Sequence, residues 1–223
     1  MEKEESKESL TDKLSKEIVN TSIDTSIDYA ELTIDEILTS DTLKEIPIVK
    51  TLVSIAKIGI NIKERFFVKK LLTFLRELHL QNIDTQKLED FKGKFENEPK
   101  FRTKVTEQIM IYNDAFLNIE KSKILAKLFK SHIEGNFDWE YFNYLSVCLN
   151  NAHPKAFKFL EKLSTNNFII PEEPEEREQL ALERDGDSEA LLYSCGIAYE
   201  SSSWSSGFNV SELGKDLYLY GIK

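Results

Sequence analysis

Glycine and proline are scarce in this chain, 8 and 5 among 223 residues, and most fall in a few places. With so few residues that end helices or force turns, long uninterrupted helices are expected. Cysteine is scarcer still. Cys148 and Cys195 make no motif with each other, so reduced thiols in a cytosolic protein are the simple reading. Three histidines form no histidine-centred triad, and neither a Gly-rich phosphate loop nor a nucleophile elbow is present. Acid–base chemistry would rest on carboxylates, and no pair stands out. The chain reads as non-enzymatic, with no cofactor and no small-molecule substrate. His132, Cys148, His153 and Cys195 are the candidate metal ligands, but their spacing matches no zinc pattern. Asp185–Gly186–Asp187 resembles a piece of a calcium loop; the downstream spacing fails, and a turn is the reading. No metal site is expected.

A long hydrophobic run is also missing. Ile46–Ile62 comes nearest, and it contains Lys50, Lys57 and Asn61. Two central lysines cost roughly 5–7 kcal/mol on the insertion scale, against about 2.5–5 returned by the Ile, Leu and Val. The run also falls short of the usual ~20 residues. A spanning helix is not expected. The opening MEKEESKESLTDKLSKEIVN has no apolar h-region and no cleavage site. The expected location is cytoplasmic, or peripheral at an inner membrane.

What the chain does have is sorted charge. The net charge is −10. Residues 1–45 carry 13 acids and 5 bases, residues 46–76 carry 7 bases and 1 acid, and residues 138–223 carry 15 acids and 7 bases. Hydrophobic content of 41% and charged content of 30% describe a soluble globular protein rather than a disordered one. The basic stretch IPIVKTLVSIAKIGINIKERFFVKKLLTFLR is apolar as well. Plotted as a helix, Lys50, Ser54, Lys57 and Asn61 share one arc and Ile, Leu and Val fill the rest, the pattern of a helix central to a bundle. Phe67, Leu71, Phe74 and Leu78 then repeat at four–three–four spacing, with Lys69, Lys70, Thr73 and Arg76 outside. The two stretches form one long helix or a hairpin.

Three readings of the basic residues stay open. They are a solvated face pairing with acids of the N- and C-terminal regions, a contact for an acidic protein or nucleic acid, or a membrane-surface contact. In the last reading the acidic flanks act as an intramolecular cover. The candidate partner or lipid contacts are Lys63, Arg65, Phe66, Phe67, Lys69, Lys70 and Arg76.

Residues 1–41 read as a flexible acidic segment, with Ser40 or Asp41 capping the first firm helix or Pro47 in its first turn. Residues 42–137 read as a helical bundle. Apolar spacing marks helices through Phe91 and Phe95, from Phe101 to Phe116, and from Ile124 to Ile133. Asp138 caps a helix through Phe142 and Leu149, and His153–Pro154 opens another through Phe157 and Leu163. PEEPEEREQ reads as an exposed connection or a first helical turn. Alternation at Ile197 and Tyr199, a Ser-rich tip, and alternation at Phe208 and Val210 predict a β-hairpin, after which Ser211 caps a last short helix.

A helix, a two-stranded hairpin and V-S-E-L-G opening a terminal helix resemble the end of a winged helix-turn-helix domain, over about 138–223. In such domains the hairpin is the wing; Asp138–Leu149, Pro154–Leu163 and Glu176–Leu192 would be the three helices. The charges argue against duplex DNA, because DNA affinity depends on Lys and Arg neutralising phosphates. Tyr199–Phe208 has no base and one glutamate. A protein-docking or purely structural role is the expectation, with Trp204 on the hairpin tip either an interface anchor or a ring folded back on the hairpin. Separately, PIVKTLVSIAKIGINIKERFFVKKLLTFLREL with KSKILAKLFKSHIEGNFDWEYFNYL looks like uncharacterised helical proteins of bacterial chromosomes and prophages, which often sit among phage-conflict or mobile-element genes. This resemblance spans about 46–150 and implies a context without an activity.

The expectation is a mainly α-helical protein with a small winged-helix-like α+β module, acting by protein interaction with a partner or its own copies. A membrane-active effector using 46–76 and a winged-helix regulator are the alternatives.

Overall fold

The computed structural model describes residues 2–20, 22–56, 62–169, 175, 191–200 and 208–223. The protein is mainly helical and divides into two compact units, residues 1–136 and 137–223.

The first unit holds α1 (Glu2–Val19), α2 (Ile34–Thr39), α3 (Asp41–Lys44), α4 (Pro47–Ala56), α5 (Ile62–Leu80), α6 (Thr85–Asn97), α7 (Pro99–Ala115) and α8 (Glu120–Ile133). Helix α5 is the axis of this unit: it packs most extensively on α8 and also against α1, α2, α4 and α7. Leu71, Leu72, Phe74, Leu75 and Leu78 of α5 are buried with Leu125, Leu128 and Phe129 of α8 and Val105 and Ile109 of α7. Aromatic rings join the layers: Phe74 meets Phe129, and Phe91 of α6 meets Phe129 edge-on at 5.6 Å. Caps fall where short polar side chains precede apolar runs. Asp84 caps α6, Ser40 caps α3, and Pro47 opens α4.

The N-terminal segment corrects the sequence reading. Residues 1–41 were expected to be flexible, yet Leu10, Leu14, Ile18, Ile23, Tyr29 and Ile37 are buried. Leu10, Leu14 and Ile18 recur at i, i+4 and i+8, which makes one narrow stripe, and α1 lays it on α4, α5 and α7. Polarity around a narrow stripe disguised a packed helix. The apolar basic stretch forms two helices, α4 and α5; Lys57–Asn61 lie outside the described residues. Ile48 and Val49 of α4 are wholly buried.

The second unit holds α9 (Trp139–Asn151), α10 (Pro154–Ser164), strands β1 (Ala198–Glu200) and β2 (Phe208–Val210), and α11 (Glu212–Leu217) running into a π-helical turn at Tyr218–Ile222. The strands pair antiparallel, Ala198 with Val210 and Glu200 with Phe208. Asp138 caps α9 and His153 caps α10. Ser211 is the stitch between hairpin and last helix: its Oγ accepts from Gly214 N–H and its N–H donates to Ile197 O at 2.7 Å. A Cβ on Gly214 would stand 2.5 Å from Ile197 O and 2.8 Å from Val210 Cγ1. The L-G step in V-S-E-L-G therefore answers a close approach between helix and strand. The helix expected at Glu176–Leu192, the PEEPEEREQ connection, Asp185–Gly186–Asp187 and Trp204 lie outside the described residues, apart from an isolated helical position at Glu175 and helical positions from Leu191.

Candidate interaction surface

Helix α5 sorts its polar residues by angle. At about 100° per residue, Arg65, Lys69 and Arg76 share an arc of roughly 40°, Ile62 and Phe66 occupy the next, and Lys63 and Lys70 lie beyond. Each arc meets a different neighbour.

The first arc faces the N-terminal acids. Arg65 Nη1 lies 3.1 Å from Asp35 Oδ1 in α2. Arg76 donates from Nε to Thr25 O at 3.1 Å and stands 3.7 Å from Asp28 Oδ2. Glu36 is held below the usual carboxylate range, mainly by its hydrogen bonds with Thr33 and in small part by the Lys69 charge. Asp28 pairs with Arg76 and Asp35 with Arg65, so the segment 22–36 runs opposite in direction to α5.

The third arc meets the C-terminal end of α7. Lys63 Nζ pairs with Asp114 at 2.9 Å. Lys70 is only 3% exposed, and its Nζ donates to Asp114 O at 3.0 Å and Phe116 O at 2.6 Å. A helix C-terminus leaves carbonyls without intrahelical donors and carries partial negative charge, so the buried ammonium closes α7. Burial pushes the Lys70 pKa down, opposed by Asp114. This corrects the expectation of Lys70 as a contact residue. Thr73, also expected outside, is buried and donates to Lys69 O at 2.8 Å.

Between the two lies what is free. Ile62 is 74% exposed and Phe66 is 50% exposed. Lys63 and Lys70 fasten this stretch of α5 to residues 114–116, and the next residue, Leu117, is 99% exposed. Phe67 is half-buried. The candidate contacts thus separate: Phe66 with its neighbour Ile62 forms an exposed apolar edge, Arg65, Lys69 and Arg76 lie beside acids, and Lys70 is structural. Sequence reasoning passed over Ile62 as bundle core and did not single out Leu117, which follows a helix end with its apolar side chain exposed.

A second polar feature sits at the joint of α1 and α5. His79 Nε2 lies 2.6 Å from Glu17 O, so this nitrogen carries the proton. The Glu17 carboxylate accepts from Ser22 N–H at 2.7 Å and from the Ser22 hydroxyl. A cleft of about 180 Å³ adjoins, lined by His79, Gln81 and Asn82 among Ile18, Leu78 and Ile133. Burial lowers the His79 pKa, opposed by the hydrogen bond and charge of Glu17 and aided by Lys92.

The four candidate metal ligands do not assemble. His153 Nδ1 accepts from Lys155 N–H as a helix cap, and His132 lies against Phe129 in the other unit. Among the described residues no three His, Cys, Asp or Glu side chains gather as a metal site. Cys148 and Cys195, 47 positions apart, do come near each other: Cys148 Sγ lies 3.5 Å from where a Cβ on Gly196 would stand. Gly196 has φ +78, and burial pushes the Cys148 thiol up to about 11, so it is an inert core thiol. Among the described residues no helix is long and apolar enough to cross a membrane. Comparison with protein-family models, curated proteins and solved structures finds no match to this chain.

Proposed function

We propose that this protein works by non-enzymatic protein interaction, with the edge formed by Ile62, Phe66 and Leu117 as its contact surface. The observation that carries the reading is exposure: Ile62, Phe66 and Leu117 stand in solvent, and the Lys63–Asp114 pair and Lys70 tie their stretch of α5 to residues 114–116 just before Leu117. Exposed apolar side chains held on rigid elements mark interaction sites more often than isolated ones do. The second unit is read as a winged-helix-like docking module. Its antiparallel hairpin followed at once by a Ser-capped helix supports this, and its balance of 15 acids to 7 bases favours a protein over DNA. A setting in bacterial or prophage conflict rests on sequence resemblance alone. For the membrane-active alternative, α4 would have to leave the unit, and wholly buried Ile48 and Val49 weigh against that.

Site-specific photo-crosslinking tests the reading. A crosslinker at position 66 or 117, in the full chain in its native cell, is expected to give a discrete adduct that the same crosslinker at exposed Glu89 does not. Adducts absent at 66 and 117, or equal at all three, would overturn it. An adduct of twice the chain's own mass would make the partner a second copy.

A further inference from the structure

Helix α2 differs from the rest of the segment that crosses α5. Upstream, Tyr29 is wholly buried and Arg76 grips both Thr25 O and Asp28. Downstream, Leu43 of α3 is buried. Between these anchors α2 is six residues long and lies on α5 and α3. Its Ile37 is wholly buried, while the Asp35–Arg65 pair is open to water, with 80% of the Asp35 side chain exposed. Exposed pairs of this kind hold weakly and are screened by salt. Thr33 and Ser40 bound the helix in extended backbone, so it is a separate piece with a joint at each end. The arc that it covers, Arg65 and Lys69, adjoins the exposed Ile62 and Phe66.

We infer that α2 is a displaceable acidic lid over the Arg65–Lys69 side of α5, and that the partner inserts an acidic amphipathic helix in its place. The inference rests on the interaction reading above and names the partner's chemistry. The lid sequence Thr33–Thr39, TIDEILT, is the template. An aliphatic side chain fills the position of Ile37, and a carboxylate two residues before it meets Arg65. Ile62 and Phe66, exposed beside that arc, are the apolar surface that the rest of such a helix would contact. Charge complementarity fits the occupant: displacing the lid presents cations beside apolar side chains, in a chain of net charge −10 that anionic surfaces otherwise repel. The lid competes with the partner, so the free protein binds with the open-state affinity multiplied by the fraction of molecules in which the lid is open.

The test uses the full chain and a fluorescein-labelled synthetic peptide of residues 31–41, ELTIDEILTSD, followed by fluorescence anisotropy at low salt. The D35K/E36K variant turns the lid charge against α5 and removes the Glu36 half of its capping box. With circular dichroism confirming unchanged helix content, it is expected to bind the peptide about tenfold or more tightly than the parent chain. Adding R65Q/K69Q is expected to abolish the gain, and a peptide with its acids changed to amides is expected not to bind. Equal binding by parent and D35K/E36K, or binding of the amide peptide as tightly as the acidic one, would overturn the lid. Flotation of D35K/E36K with phosphatidylglycerol vesicles, in the absence of peptide binding, would overturn the protein partner in favour of a lipid surface. Crosslinks from position 66 without peptide binding would remove the lid and leave the interaction surface standing. Peptide binding without crosslinks would do the reverse.

Discussion

The two halves of α5 carry the same kinds of residue and use them in opposite ways. From Ile62 to Lys69, Lys63 and Arg65 pair with carboxylates near water and the apolar side chains Ile62 and Phe66 face out. From Lys70 to Leu80 three basic side chains turn to backbone: Lys70 to Asp114 O and Phe116 O, Arg76 to Thr25 O while also standing near Asp28, and His79 to Glu17 O. A cation beside an exposed carboxylate is worth little and can be exchanged. A cation buried on carbonyls that have no other donor cannot leave without a cost. Whether a basic residue is surface or framework is therefore decided by which acceptor waits for it.

Breaking the inner half should cost most. Lys70→Met leaves two carbonyls at the end of α7 without their donor, and about 2–4 kcal/mol of stability is expected to go, read by urea denaturation. Arg76→Gln removes a guanidinium that is partly shielded and is expected to cost about 1–2 kcal/mol in the same measurement. His79 sharpens the contrast through pH. Its pKa is lowered in the folded chain, so the unfolded chain takes up the proton first, and stability falls as pH drops below the ordinary value near 6.5. Glu17 and Lys92 are the charges acting on it, and His79→Gln is expected to flatten the stability profile between about pH 6.5 and 5, above most carboxylate titrations.

The outer half should barely register in stability. Arg65→Gln is expected to change it by less than about 1 kcal/mol, and the difference should shrink in high salt. Phe66→Ser and Leu117→Ser, at exposed positions, are expected to leave the melting temperature within a few degrees while removing the crosslinked partner. A large fall in melting temperature for either would place that side chain in the framework.

Much of this was legible in the chain and some was not. Apolar repeats located α5, α7, α8, α9 and α10, because a 3.6-residue period needs no knowledge of neighbours. Caps at Asp138 and Ser211 were readable for the same reason, since a cap acts on its own next turn. The packing of residues 10–37 was missed. Leu10, Leu14 and Ile18 are thinly spaced among charges, and their burial depends on α4, α5 and α7 offering a matching surface. Lys70 looked exposed because a helical wheel places it outside, and only the arrival of the α7 end, 44 residues further on, turns that outside into an interior.

The sequence by itself determined a mainly helical chain, the sorting of charge along it, and the local signals that begin and end its elements. These depend on period, cap and composition, which act over a few residues. Tertiary structure decided which cations are spent on carbonyls, which acids lie across α5, and which apolar side chains are left in water. Those outcomes depend on groups brought together from distant parts of the chain, and the free energy of a charge or an apolar surface is set by what stands beside it.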